Sequence, residues 1–165
     1  MDMKQSEVLV ESFESVRNLT KFYLSKVKPE DIYSNLIINE TKFNSPFWIA
    51  SHLAWSENFL LLIATGGKPF EIKWLDEFGF GSKPEDIKSD IKYDDVICSL
   101  DDIHKRAMEH ILSLNDEKLN EKNLINANFG GKDSKKSVII HAIRHEPMHA
   151  GQLSWILKAK GISMV

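Results

Sequence analysis

Apolar residues recur at intervals of three and four in four long stretches of the chain, the spacing of one face of an α-helix. In the first stretch Leu9, Phe13, Val16, Leu19, Tyr23 and Val27 share a face. They predict a helix from Ser6 to about Val27, closed by Lys28-Pro29. Asn44-Ser45-Pro46 opens the second, with serine placed to cap the helix and proline in its first turn. This helix runs to about Thr65 and stops at Gly66-Gly67. Its apolar side carries Trp48, Trp55, Phe59 and Ile63, with His52 in the middle. A third helix spans Tyr93 to Leu114, with Ile97, Leu100, Ile103 or His104, Ala107 and Ile111 on its core face. The fourth spans roughly Ser134 to Lys160 and ends at Gly161. Val138, Ala142, His145, His149, Leu153 and Ile156 form its stripe, and Arg144, Ser154 and Lys158 fall opposite.

The segments between are less regular. Residues 30–43 are expected to be irregular or to contain a short turn. Residues 66–92 are rich in Gly, Pro, Lys and Asp, yet carry Trp74, Leu75, Phe78 and Phe80. So long and so apolar a connection is expected to fold over one end of the helices, with a short helix near Trp74 to Phe78. Residues 115–135 form a second connection, with a turn at Gly130-Gly131 and at most a small hairpin over Asn128 to Lys132. Four long helices without convincing strand pairs or repeats predict an all-α four-helix bundle occupying residues 1–165 as one domain.

Composition narrows the function. The chain has 165 residues, 42% of them hydrophobic and 27% charged, as expected of an ordinary globular domain with one core. The formal charge is −3 with both signs mixed along the chain, and no basic block or stripe stands out. That pattern predicts no nucleic-acid partner. The start, Met1-Asp2-Met3-Lys4, lacks the pattern of a signal peptide. The longest apolar run, Phe59 to Ala64, is far short of a membrane span, so no membrane partner is expected. Cys98 is the only cysteine, which excludes an intrachain disulfide and suits a reducing cytoplasm.

The histidines carry the chemistry. His145 and His149 are four apart and therefore one turn apart on one helix face. Both fall in an apolar stripe, where their ring nitrogens need partners. Two imidazoles so placed bind one transition metal. His52 also projects from an apolar face, and in a bundle such faces meet in the core. The competing reading is three core histidines satisfied by hydrogen bonds alone. His141 sits at the stripe's edge as an outer group or a boundary residue. His104 and His110 are six apart and read as structural or exposed. Pro147, between the paired histidines, removes a backbone hydrogen bond and is expected to distort the helix. Glu146 points away from the ligand face and reads as a surface or outer carboxylate. Gln152 returns close to that face, either as a hydrogen-bonding partner near a metal or as an interface amide. Cys98 reads as a buried apolar side chain.

Pro46-Phe47-Trp48-Ile49-Ala50-Ser51-His52-Leu53-Ala54-Trp55 and His145-Glu146-Pro147-Met148-His149-Ala150-Gly151-Gln152 together resemble the DinB-like (YfiT-like) metalloenzyme superfamily. Lys73-Trp74-Leu75-Asp76-Glu77-Phe78-Gly79 and Gly81-Ser82-Lys83-Pro84 are similar to a connection found in one of its branches. The resemblance implies an up-down-down-up bundle with a long connection between helices 2 and 3. It implies a divalent metal, zinc or nickel foremost, held by His52, His145 and His149. It also implies a homodimer acting on a small-molecule substrate. Members with assigned activities include thiol S-transferases, so the expected function is metal-dependent S-transfer with a low-molecular-weight thiol. The alternatives are a metal-dependent hydrolase, or a structural-metal or stress-related binding module without catalysis.

Overall fold

A computed structural model describes residues 3–83 and 87–163. Four long helices dominate it: α1 (Gln5–Ser25), α2 (Pro46–Glu57), α3 (Tyr93–Ser113) and α5 (Lys135–Ala159). A short α4 (Asp116–Asn120), which the hydrophobic pattern does not announce, lies in the second connection. α1 packs on α5 and α3, and α2 packs on α3 and α5, so α1 and α2 face each other across the core. Ser45 caps α2 by accepting from Trp48 N at 3.2 Å, and Ser134 caps α5 by accepting from Ser137 N at 3.1 Å. After Glu57 the second helix continues as a π-helical segment, Asn58–Ile63.

Two helices are rotated from the faces that periodicity predicts. α1 buries Leu9, Phe13, Arg17, Thr20 and Leu24, while Leu19 is exposed. α5 buries Val138, Ile139, Ala142, Glu146, Ala150 and Leu153, which leaves His145 and His149 on the flank of the stripe. One cause accounts for both. Arg17 Nε and Nη2 donate to the two oxygens of Glu146 at 2.8 Å and 2.8 Å, and Nη2 donates to Glu57 at 2.6 Å. His104 Nδ1 donates to the other Glu57 oxygen at 2.7 Å. Charges buried this deeply persist only when paired and hydrogen-bonded. Glu146 is therefore a core residue rather than a surface one, and His104 is a buried partner of Glu57.

The segment after α1 contains a short turn, as expected, in a 3-10 turn at Pro29–Asp31, and also a strand pair that was not expected. β1 (Ile37–Ile38) and β2 (Thr41–Lys42) pair antiparallel across Asn39 and Glu40, both at positive φ. Such a two-residue turn demands left-handed backbone at both central positions. Glu40 rarely adopts it, so the sequence carries no Asn-Gly signal.

The described part of the connection from 66 to 92 folds onto the bundle through Leu75 and Phe78, as expected, whereas Phe80, also expected to pack, is exposed. Asn58 pairs both of its amide atoms with the backbone of Phe70. A 3-10 turn over Lys73–Phe78 buries Leu75 and Phe78. Glu77 accepts from the backbone of Lys88 and Ser89, pinning the far side of the connection. A carbon added at Gly79 would sit 3.2 Å from Trp55 Cε2, so glycine lets the chain press against α2 there. Pro84, part of the motif read from sequence, lies outside the described residues. Gly130 and Gly131 form the expected turn, closed by a bridge between Phe129 and Lys132. No helix among the described residues is long and apolar enough to cross a membrane.

Candidate metal centre

His52, His145 and His149 meet between α2 and α5. One ring nitrogen from each lies within 4.8 Å of the others. Their ring centroids are 5.3 Å (His52 to His145), 4.8 Å (His52 to His149) and 4.7 Å (His145 to His149) apart. The three residues named from sequence are thus brought together. No other His, Cys, Asp or Glu among the described residues joins the group.

The outer nitrogens fix the tautomers. His52 Nδ1 lies 2.7 Å from the backbone carbonyl of Phe78. A carbonyl only accepts, so Nδ1 carries the proton and Nε2 keeps a lone pair, to which Ser56 Oγ donates at 3.3 Å. His149 Nδ1 donates to Gln152 Oε1 at 3.0 Å, again leaving Nε2 free. His145 Nε2 then lies 3.2 Å from His149 Nε2. Two imidazole nitrogens so close need a proton or a cation between them. Tetrahedral zinc with bonds of about 2.0–2.1 Å sets its nitrogens about 3.4 Å apart. The donor set therefore fits a transition ion, with a modest closing movement of the third ring. Hydrogen bonds from outer nitrogens to a carbonyl or amide oxygen are what orient ligating histidines in metal sites.

The wall around the cluster is aromatic. Trp48 stacks on His52 at 4.8 Å, Trp55 lies on it at 5.7 Å, and Phe59 stacks on Trp55 at 5.1 Å. The buried indole N–H of Trp48 has no acceptor among the described residues. Burial holds the His52 imidazole neutral, with its pKa lowered to about 4. Burial and the neighbouring imidazoles lower that of His145 to about 3. Burial also lowers His149. All three are neutral near pH 7, the state that binds metal.

The remaining candidates sort cleanly. His141 stacks on Phe129 at 3.8 Å and accepts from Arg144, outside the cluster. His110 bonds Thr65 at 2.9 Å. Cys98 is exposed on α3, not buried as expected, because the turn of that helix places Val96 and Leu100 inward instead. The connection contributes a carbonyl, that of Phe78, which no side-chain pattern reveals. Ser56 and Glu57 were also not singled out. The only trace of them in the sequence is a polar pair, Ser56-Glu57, on a largely apolar helix.

The sequence profile of the DinB superfamily matches residues 12–153. The chain belongs to the DinB superfamily. No curated protein sequence matches it. Among solved structures, a conserved protein from Enterococcus faecalis matches with a TM-score of 0.71 at 16% identity, over 94% of this chain and 96% of that one. YfiT from Bacillus subtilis, described as a probable metal-dependent hydrolase with an unusual four-helix bundle topology, matches with a TM-score of 0.65 at 11% identity, over 99% and 91%. The colibactin self-resistance protein ClbS, solved in complex with double-stranded DNA, matches with a TM-score of 0.66 at 15% identity, over 96% and 98%. At these identities the likeness shows the fold.

ClbS overturns one expectation. Exclusion of nucleic acid rested on a small negative charge and on the lack of a basic block. Net charge is a sum over the whole surface, and DNA binding reads only the local face that meets the phosphates. A bundle of this superfamily's fold binds duplex DNA, so the exclusion is withdrawn.

Proposed function

We propose that this DinB-superfamily chain is a metal-dependent enzyme in which His52, His145 and His149 hold one divalent transition metal. The observation that carries the reading is a cluster of three imidazoles that no fourth ligating side chain joins among the described residues. Closed structural sites use four protein ligands, and catalytic ones keep a position for water or substrate. Zinc and nickel both suit an imidazole set.

A loaded centre of this kind lowers the pKa of a bound water or thiol and supplies a nucleophile at neutral pH. The chain's own groups complete the arrangement. Phe78 O and Gln152 Oε1 hold His52 and His149 with Nε2 facing inward. Trp48 and Trp55 restrict water on the α2 side. The nearest core carboxylates, Glu57 and Glu146, are engaged by Arg17 and His104. Neither is free to act as general base.

Within this reading, the superfamily resemblance favours S-transfer from a low-molecular-weight thiol to a small electrophile. The description of YfiT favours hydrolysis as the second reading. A panel of low-molecular-weight thiols against a generic electrophile, beside a panel of ester and amide substrates, separates them. Thiol-dependent turnover that a chelator abolishes supports S-transfer. Chelator-sensitive turnover without thiol supports hydrolysis. Turnover that is indifferent to the chelator refutes both. A homodimer in the cytoplasm belongs to the same proposal, with Ile140 and Met148, exposed on α5, as apolar surface available to the dimer. Analytical ultracentrifugation tests the dimer.

A further inference from the structure

A cleft of about 520 Å³ opens between the β1–β2 hairpin and the C-terminal half of α5. Ile38 and Phe43 form one wall, and Trp155 and Ile156 the other. Its size falls in the range of small-molecule sites, and so does its character, with mostly apolar walls and a few polar groups. Trp155 is 68% exposed, an unusual placement for the largest apolar side chain.

Of the three polar side chains in the lining, Lys42, Asn44 and Gln152, the first and last point to one ligand chemistry. Lys42 is the only ionisable residue among them. Its side chain makes no ion pair or hydrogen bond among the described residues, so a positive charge stands in the lining without a counter-charge. No carboxylate lines the walls to oppose an anion. Gln152 also lines the cleft, and its Oε1 is taken by His149 Nδ1 at 3.0 Å. Its amide nitrogen remains available as a donor.

The hairpin wall is built rather than loose. Phe43 N donates to Leu36 O at 2.8 Å, and Asn35 Nδ2 donates to Phe43 O at 2.7 Å. The strained left-handed backbone at Glu40 is retained to turn β2, and with it Lys42, back along β1.

We propose that this cleft binds a small amphipathic anion, with its apolar body between Phe43 and Trp155 and its carboxylate or similar group on Lys42. An acceptor on the same molecule reaches the Gln152 amide. Binding itself follows from the cleft alone. That the anion is the substrate of the neighbouring centre rests on the proposed metal reading, through the hydrogen bond from His149 to Gln152.

The probes are 1-naphthylacetate and its neutral amide, titrated into the 165-residue chain by calorimetry, with metal content measured on every sample. The expected result is saturable binding at one site per chain, with the acid preferred to the amide by about tenfold, as one charge-assisted contact gives. Lys42→Glu removes that preference and keeps the wild-type metal content. Lys105→Glu, the same charge change at an exposed position of α3, preserves it. Trp155→Ala weakens both probes. Equal affinity for acid and amide overturns the proposal, as does an equal loss in the Lys105 variant or no saturable binding by the wild type. A chain that binds the acid as described but holds no metal keeps the cleft and refutes the metal centre. The reverse result does the opposite.

Discussion

Glu146 grips Arg17 with both carboxylate oxygens, each at 2.8 Å, one residue along the chain from His145. Successive positions on a helix differ by about 100°. With Glu146 anchored in the core, His145 and His149 must face α2 and His52. The side chains of Arg17 and Glu146 are 2% and 3% exposed, so this pair sets the rotation of α5 from inside.

Breaking the pair from one side leaves buried charge uncompensated. Arg17→Met strands Glu57 and Glu146, and a loss of about 3–5 kcal/mol is expected. Urea denaturation followed by circular dichroism reads it. A loss under about 1 kcal/mol would show that the core tolerates these carboxylates unpaired, contrary to the account. Burial alone would raise the Glu146 pKa, but Arg17 holds it below the ordinary 4.5. Its contribution to stability is therefore present above that value and lost as pH falls through the depressed one.

Gln152 is expected to act on the metal without touching it. Gln152→Leu removes the acceptor that orients His149, and metal affinity should fall by about 10–100-fold, the usual effect of losing such a partner. Competition with a chromogenic chelator measures this. Unchanged affinity would mean that the His149 ring is held by packing alone.

The metal-stripped chain should be most stable near neutral pH. His52 and His145 bind protons below 6.5 when unfolded, but only below about 4 and about 3 when folded. The unfolded state takes up more protons in that window, so stability falls as pH drops from 6.5. His104 behaves in the opposite way. Burial works against its charge, but the bond to Glu57 outweighs it and raises the pKa above 6.5. Its contribution is present below 6.5 and lost as pH rises through the folded value. Thermal melts across pH should show the acid loss reduced in His145→Gln and the alkaline loss reduced in His104→Gln. Parallel curves for wild type and both variants would contradict these assignments.

Much of this was legible in the chain. The three histidines stand on faces whose periodicity is plain, and Ser45-Pro46 and Ser134 mark their helix starts. The rotation of α1 and α5 was hidden, because hydrophobic periodicity assigns Arg17 and Glu146 to solvent. Only their pairing across the core makes burial tolerable, and the partners are 129 positions apart. The Phe78 carbonyl was hidden for a different reason, since every residue has a carbonyl and only folding aims one at His52. The β1–β2 hairpin turns on Glu40, a residue that ordinarily argues against such a turn.

X-ray absorption on the zinc-loaded chain, paired with metal stoichiometry of His52→Ala, His145→Ala and His149→Ala, bears most directly on the central claim. The account predicts one metal per chain, three imidazole nitrogens at about 2.0–2.1 Å and an exchangeable light-atom ligand, with binding lost in each variant while helix content persists. Four protein ligands in the wild type, or undiminished stoichiometry in any of the three variants, would contradict it.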